Sequence, residues 1–158
     1  MTSHRITLVQ LLKSHEWNTG AELGVDEGIL ARMLLDARPE LHLIGVDNFT
    51  LNPQYRAGVE SMVAEYYPRY TLYAMNTDDA SSFVADESLD FVFIDANHSE
   101  ERTYADIQHW RSKVRPGGWF GGDAYNPTWY PQVPKAVHRV FPRSDVHVLP
   151  GRVWGVRV

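Results

Sequence analysis

Two short apolar runs constrain this chain more than any other feature: residues 41–46 stop at Asp47, and residues 89–94 stop at Asp95. Apolar runs of that length, bounded by turns, suit strands buried on both faces of a parallel sheet. Residues 19–25, 70–74 and 119–123 read as three further strands. Between them the apolar residues fall at helical spacing. Leu8, Leu11, Leu12 and His15 share one face of a short helix over 4–16. Leu30, Met33, Leu34 and Ala37 mark a second helix, ended by Pro39, and Val59, Met62, Val63 and Tyr66 a third, ended by Pro68. A short helix carries Asp78 and Asp79 near its start. Glu100 and Glu101 open the next, Thr103, Ile107, Trp110 and Val114 line it, and Arg111, Lys113 and Arg115 finish it before Pro116-Gly117-Gly118. Val133, Val137, Val140 and Phe141 mark the last. Parallel neighbours need crossover connections, so the pattern predicts a doubly wound α/β sheet. Residues 146–149 and 153–158 flank Pro150-Gly151 and read as a closing β-hairpin.

With 158 residues, one domain is expected: an N-terminal helix over 1–18, a core over 19–142 and a C-terminal hairpin over 143–158. The net charge of −5 disfavours a nucleic-acid partner, which needs basic surface. The absence of cysteine excludes disulfides and thiolate metal sites. No signal-peptide pattern opens the chain, and no apolar run approaches the ~20 residues of a membrane span. The expectation is a cytoplasmic enzyme or binding protein with no membrane partner, and homo-oligomers are compatible with it.

Ligands of such a sheet bind beyond the carboxyl ends of its strands. Those ends supply Glu22 and Gly24, Asp47, Asn76 and Thr77, Asp95, and Asp123. Glu22-Leu23-Gly24-Val25-Asp26-Glu27-Gly28 is a strand turning into a helix, but Asp26 replaces the middle glycine of a dinucleotide fingerprint. Asp26 and Glu27 repel a pyrophosphate. A ligand with a nucleoside end and a positively charged end fits better. Asp47 lies nineteen residues after Gly28, near the ~20 expected of an acid that binds ribose hydroxyls. Scaffold readings stand beside these: a solvated strand end for Asp47, and a helix cap for Asn76 and Thr77.

The order of motifs resembles the small-molecule class I S-adenosylmethionine-dependent methyltransferases, in particular a bacterial group with an IDANHSYE…D…W…PGG…GHDY pattern. The matching residues are Ile94-Asp95-Ala96-Asn97-His98-Ser99, then Asp106, Trp110, Pro116-Gly117-Gly118 and Gly121-Gly122-Asp123. The resemblance covers roughly residues 19–142. It implies a Rossmann-like, doubly wound, mostly parallel seven-stranded sheet closed by the C-terminal hairpin. By that resemblance Gly24 and Gly28 shape the cofactor turn, Glu22 helps hold the aminoacyl end, and Asp47 binds the ribose. Asn76 and Thr77 lie beside the adenine, and Asp95 and Ala96 face the methionine portion.

Methyl transfer from a sulfonium needs an aligned acceptor and often a base. The base is His98, three residues after Asp95, because imidazole exchanges protons near neutral pH. Related metal-dependent O-methyltransferases hold Mg²⁺ with carboxylates where Asp95 and Asp123 stand, which assigns both to a metal site. The expected function is transfer of a methyl group to a small-molecule acceptor, at a hydroxyl oxygen. A non-catalytic S-adenosylmethionine-binding module is the alternative, because Glu100, Gly122 and Ala124 depart from the pattern, all expected on the substrate side. A nicotinamide-dependent reductase is disfavoured by Asp26. An amino-methyltransferase of nucleic acids is disfavoured too, because Asn126-Pro127-Thr128-Trp129 follows the wrong strand.

Overall fold

The computed structural model describes residues 3–158. Seven strands form one sheet: β1 Thr19–Leu23, β2 His42–Val46, β3 Tyr70–Tyr73, β4 Leu89–Ile94, β5 Val114–Gly122, β6 His147–Leu149 and β7 Val153–Arg157. Their order is β3-β2-β1-β4-β5-β7-β6. The first five run parallel, and β7 pairs antiparallel with both β5 and β6. The closing hairpin is therefore present, with β7 inserted between β5 and β6.

Six α-helices cover the sheet: α1 His4–Ser14, α2 Ile29–Ala37, α3 Arg56–Glu65, α4 Thr77–Ser81, α5 Glu100–Trp110 and α6 Gln132–His138. They divide the core into two layers. Phe91 and Phe93 of β4 point into the layer of α1, α2 and α3, with Leu8, Leu12, Leu30 and Leu34. Val92 and Ile94 point into the other layer, with Ile107, Trp110, Val133 and Val137. Burial on both faces is why β4 reads as a nearly continuous apolar run.

One boundary departs from expectation. α5 stops at Trp110, and Arg111–Lys113 wind into a 3₁₀ turn. β5 then starts at Val114, which pairs with Leu89. Pro116-Gly117-Gly118 sits inside that strand as an irregularity, since Leu89 pairs with Val114 but Phe91 with Trp119. Gly117 has φ +83°, which fits a bulge. Val114 is a buried β-branched residue that a strand accommodates well. Arg115 reaches sideways to Asp90 at 3.3 Å instead of capping the helix.

Candidate active site

The turn after β1 is built by the protein before any ligand is considered. Gly24 has φ +91°, and its N–H donates to the Val46 carbonyl at 2.8 Å. Asp47 folds the rest of the turn: Oδ2 accepts the N–H groups of Val25 and Asp26, both at 2.9 Å, and Oδ1 accepts that of Phe49 at 2.7 Å. A carboxylate offers about four acceptor positions, so three are already taken. One acceptor position remains, so the expected ribose contact has room for a single hydrogen bond. We expect Asp47→Ala to weaken S-adenosylmethionine binding at least about 100-fold, since each charged hydrogen bond contributes roughly 1.5–3 kcal/mol and three of them shape the turn. Calorimetry and a melting curve test this. A lowered Tm with unchanged affinity would make Asp47 an organiser of the turn only.

The turn opens on a cleft of about 700 Å³ between the ends of β1, β2, β3 and β4. That volume lies within the range of small-ligand sites. Glu22, Gly24, Asp47, Asn76, Thr77, Asp95 and Ala96 all line it, and Arg5 and His4 of α1 close one side. Gly28 is not on the lining. It caps α2 with φ +77°, and a Cβ there would meet the Met62 sulfur at 2.7 Å. Its glycine serves helix packing.

The lining acids (Glu22, Asp26, Asp47, Asp78, Asp79, Asp95 and Asp106) face few cations, chiefly Arg5 and Arg102. Glu22 is buried, and Oε2 has no hydrogen-bond partner among the described residues. Burial first, and the charge of Asp95 second, push its carboxyl well above the usual range. A buried acid of this kind suits a positively charged ligand group.

At the far end of the cleft, Asn76 Oδ1 accepts from the Asn48 amide at 2.8 Å. Thr77 has its polar groups engaged: Oγ1 donates to Asp106 Oδ1 at 2.5 Å, and its carbonyl accepts from Trp110 Nε1 at 3.0 Å. Arg102 forks onto both oxygens of Asp78 at 3.0 and 3.1 Å. Burial pushes the Asp106 carboxyl up to about 6, although Thr77 and Arg102 oppose the rise. The native state therefore disfavours the ionised acid, and stability falls as pH rises through about 6. We expect Asp106→Asn, which keeps an acceptor for Thr77, to stabilise the protein by about 2 kcal/mol at pH 8. The gain should vanish below about pH 4, where both native and unfolded wild-type chains carry a protonated Asp106. Urea denaturation at the two pH values measures it, and an equal loss of stability at both would refute it.

Asp95 and Asp123, placed at neighbouring strand ends by the sequence, come together around a residue the sequence reading passed over. His4 Nε2 lies 3.1 Å from Asp95 Oδ2, and His4 Nδ1 lies 3.4 Å from Asp123 Oδ2. His98 approaches Asp95 from its other side, Nε2 to Oδ1 at 3.5 Å, and its ring meets Tyr130 edge-on at 5.3 Å. Burial would raise the Asp95 carboxyl, but His4 and His98 outweigh it and hold Asp95 below the usual range. Asp123, with weaker support, is raised by burial. The available signal for His4 was its place one turn before Leu8, on the buried stripe of α1.

The sequence profile of a family described as a methyltransferase domain matches residues 21–125, two-thirds of the chain, from within β1 to just past Asp123. The chain belongs to this family. This methyltransferase has the class I fold and depends on S-adenosylmethionine. No curated protein sequence matches it at significant similarity. Among solved structures, CalS11, a TDP-rhamnose 3′-O-methyltransferase of calicheamicin biosynthesis, aligns with TM-score 0.75 at 16% identity, over 99% of this chain and 80% of its own. Cofactor-bound Rv0187 from MTB gives 0.73 at 17%, covering 99% and 81%. Spermidine synthase from Thermotoga maritima gives 0.62 at 17%, with 97% of this chain spanning 54% of that one. At such identities the likeness concerns the fold alone.

Glu100, Gly122 and Ala124, where the sequence departs from the motif pattern it resembles, have defined surroundings in the structure. A side chain at Gly122 would meet the Ile94 carbonyl at 2.5 Å and Trp154 Nε1 at 3.0 Å, so β7 occupies the space a histidine would need. Ala124 is fully buried, and Glu100 pairs with Arg139 at 3.4 Å. None of the three lines the cleft itself. Of the aromatic loop, Tyr130 reaches His98, whereas the Tyr125 hydroxyl is bonded to His138 Nε2 at 2.6 Å and Trp129 is exposed. Among the described residues, no helix is long and apolar enough to cross a membrane.

Proposed function

We propose that this methyltransferase acts on a hydroxyl oxygen of a small-molecule acceptor, with a divalent cation held at Asp95 and Asp123. The observation that carries the proposal is that Asp95 and His4 line the acid-rich cleft and stand against Asp123 and His98 just beyond it. The residues present fit both groups. Glu22, buried with an unpartnered oxygen, suits the ammonium of the aminoacyl end, and Arg5 on the same cleft suits its carboxylate. Asp47 has one acceptor position for the ribose. Asp123 Oδ1, also buried without a partner among the described residues, suits a cation. When bound, S-adenosylmethionine supplies the methyl group from its sulfonium, and the cation favours the ionised form of a nearby hydroxyl.

The chain's own residues then have separable tasks. Glu22, Arg5 and Asp47 fix the donor, so that the reaction becomes a displacement between aligned partners. Asp95 remains ionised and stands 3.5 Å from His98 Nε2, holding the imidazole beside it by charge. That leaves His98 Nδ1 to take the hydroxyl proton as the new carbon–oxygen bond forms.

The test is release of S-adenosylhomocysteine with a panel of hydroxyl-bearing acceptors, with and without Mg²⁺ or Mn²⁺. Turnover that requires an acceptor hydroxyl and falls with EDTA is the expected result. Tight S-adenosylmethionine binding with no turnover across a broad panel would favour the binding module. A homo-oligomer and a cytoplasmic location are compatible with this reading and play no part in it.

A further inference from the structure

We propose that His4 is the third protein ligand of the divalent-cation site, which makes the first turn of α1 part of the catalytic centre and favours a transition-metal ion over Mg²⁺. The proposal rests on the reading that Asp95 and Asp123 hold a cation.

The imidazole is carried to the strand ends by the docking of its helix. Leu8 and Leu12, one and two turns beyond His4, are fully buried in the layer shared with α2. Thr7 Oγ1 donates to the Pro150 carbonyl at 2.7 Å, which fixes the helix along its length. The His4 ring stacks on Phe93 with centroids 6.2 Å apart. One ligand atom from each of His4, Asp95 and Asp123 lies within 4.8 Å of the other two.

Two polar atoms of these three residues are left over, and His98 Nε2, on the other side of Asp95, is a third in the cluster. His4 Nε2 and Asp123 Oδ1 are buried, yet neither makes a hydrogen bond with any described residue, and the Asp123 side chain is only 6% exposed. Buried polar atoms nearly always have partners. An imidazolium bridging two carboxylates would satisfy itself by donating along both N–H directions. The contact of Nε2 with Asp95 is short but not aligned as such a bond. Convergent nitrogen and oxygen donors without aligned protons between them form a ligand set.

The chemistry of that set distinguishes ions. Mg²⁺ takes oxygen ligands and keeps several waters, so two carboxylates alone would suit it. An imidazole adds little for Mg²⁺ but raises affinity along the first-row series, least for Mn²⁺ and more toward Co²⁺ and Zn²⁺.

The test uses the full chain and the metal alone, without methyl donor or acceptor. Mn²⁺ and Mg²⁺ are titrated by calorimetry, and the Mn²⁺ complex is examined by pulsed electron paramagnetic resonance for nitrogen modulation from a bound imidazole. We expect one equivalent of Mn²⁺, bound at least about tenfold tighter than Mg²⁺. His4→Ala should weaken Mn²⁺ at least about tenfold, change Mg²⁺ less than about threefold, and remove the nitrogen modulation, while His98→Ala leaves it. If His4→Ala fails to fold, His4→Gln carries the same expectations. Unchanged Mn²⁺ affinity and modulation without His4 would overturn the proposal and leave the carboxylate site intact. Loss of modulation in His98→Ala but not His4→Ala would overturn it in favour of His98. If neither ion binds the wild type, His4 ligation and cation assistance fall together, whereas methyl transfer measured in EDTA reports separately on the donor site.

Discussion

Asp95→Ala is expected to lower methyl transfer by about 10²- to 10⁴-fold, the range associated with loss of a positioned acid–base group. The carboxylate lies within 3.5 Å of two imidazoles and lines the cleft, so on the proposed mechanism its removal takes the neighbouring charge from His98 and one acid from the proposed cation site. The fold should survive, because the strand pairing here runs through the backbone: Asp95 N–H donates to the Leu23 carbonyl at 2.7 Å, and alanine keeps that bond. Asp95→Asn provides the control for shape. If charge is what matters, asparagine should be nearly as inactive as alanine, while the melting temperature stays within about 3 °C of wild type. Turnover retained within about threefold in the alanine variant would remove Asp95 from the mechanism.

Gly24→Ala should be nearly as damaging to function and far more damaging to stability. The residue has φ +91°, where an L side chain is strained. Its Cβ would stand 2.2 Å from the Asp95 carbonyl oxygen and 2.7 Å from Ala96 Cα. Both are backbone atoms at the end of β4, so no rotamer change relieves the clash. Left-handed strain and overpacking together cost about 3–5 kcal/mol, a large share of the stability of a domain this size. That corresponds to a Tm lower by about 10 °C or more. S-adenosylmethionine binding should be lost as well, because Glu22, Asp47 and Asp95 converge only while β1 and β4 stay in register. A melting curve within about 3 °C of wild type would show that the strand ends can part without cost. The requirement for glycine thus arises inside the protein, from the closeness of two strands, before any cofactor approaches.

The strand ends were legible because a residue that closes a buried apolar run must face the sheet edge. Asp47, Asp95 and Asp123 follow from that rule alone, and the sheet brings them where it says. What the rule could not supply is how many acceptor positions each acid has left. Asp47 spends three on backbone N–H groups of its own turn, and Thr77 commits its hydroxyl to Asp106, because nearby donors and acceptors compete with ligands for the same atoms. Neither commitment leaves a trace in residue spacing. The β5 boundary was misplaced because Pro116-Gly117-Gly118 is a strong stop signal, and the pairing of Val114 with Leu89 overrides it. His4 stands far from Asp95 in sequence and has no motif. Only the helical stripe it shares with Leu8 and Leu12 points inward, and what it meets there depends on how α1 docks.

That docking ties together segments far apart in the sequence. Leu8 and Leu12 seat α1 on α2, and Thr7 is fastened to the carbonyl of Pro150, in the turn between β6 and β7. The side of the cleft formed by His4 and Arg5 therefore leans on a turn 143 positions beyond Thr7, and a substitution there that shifts Pro150 would be felt at the strand ends without touching them.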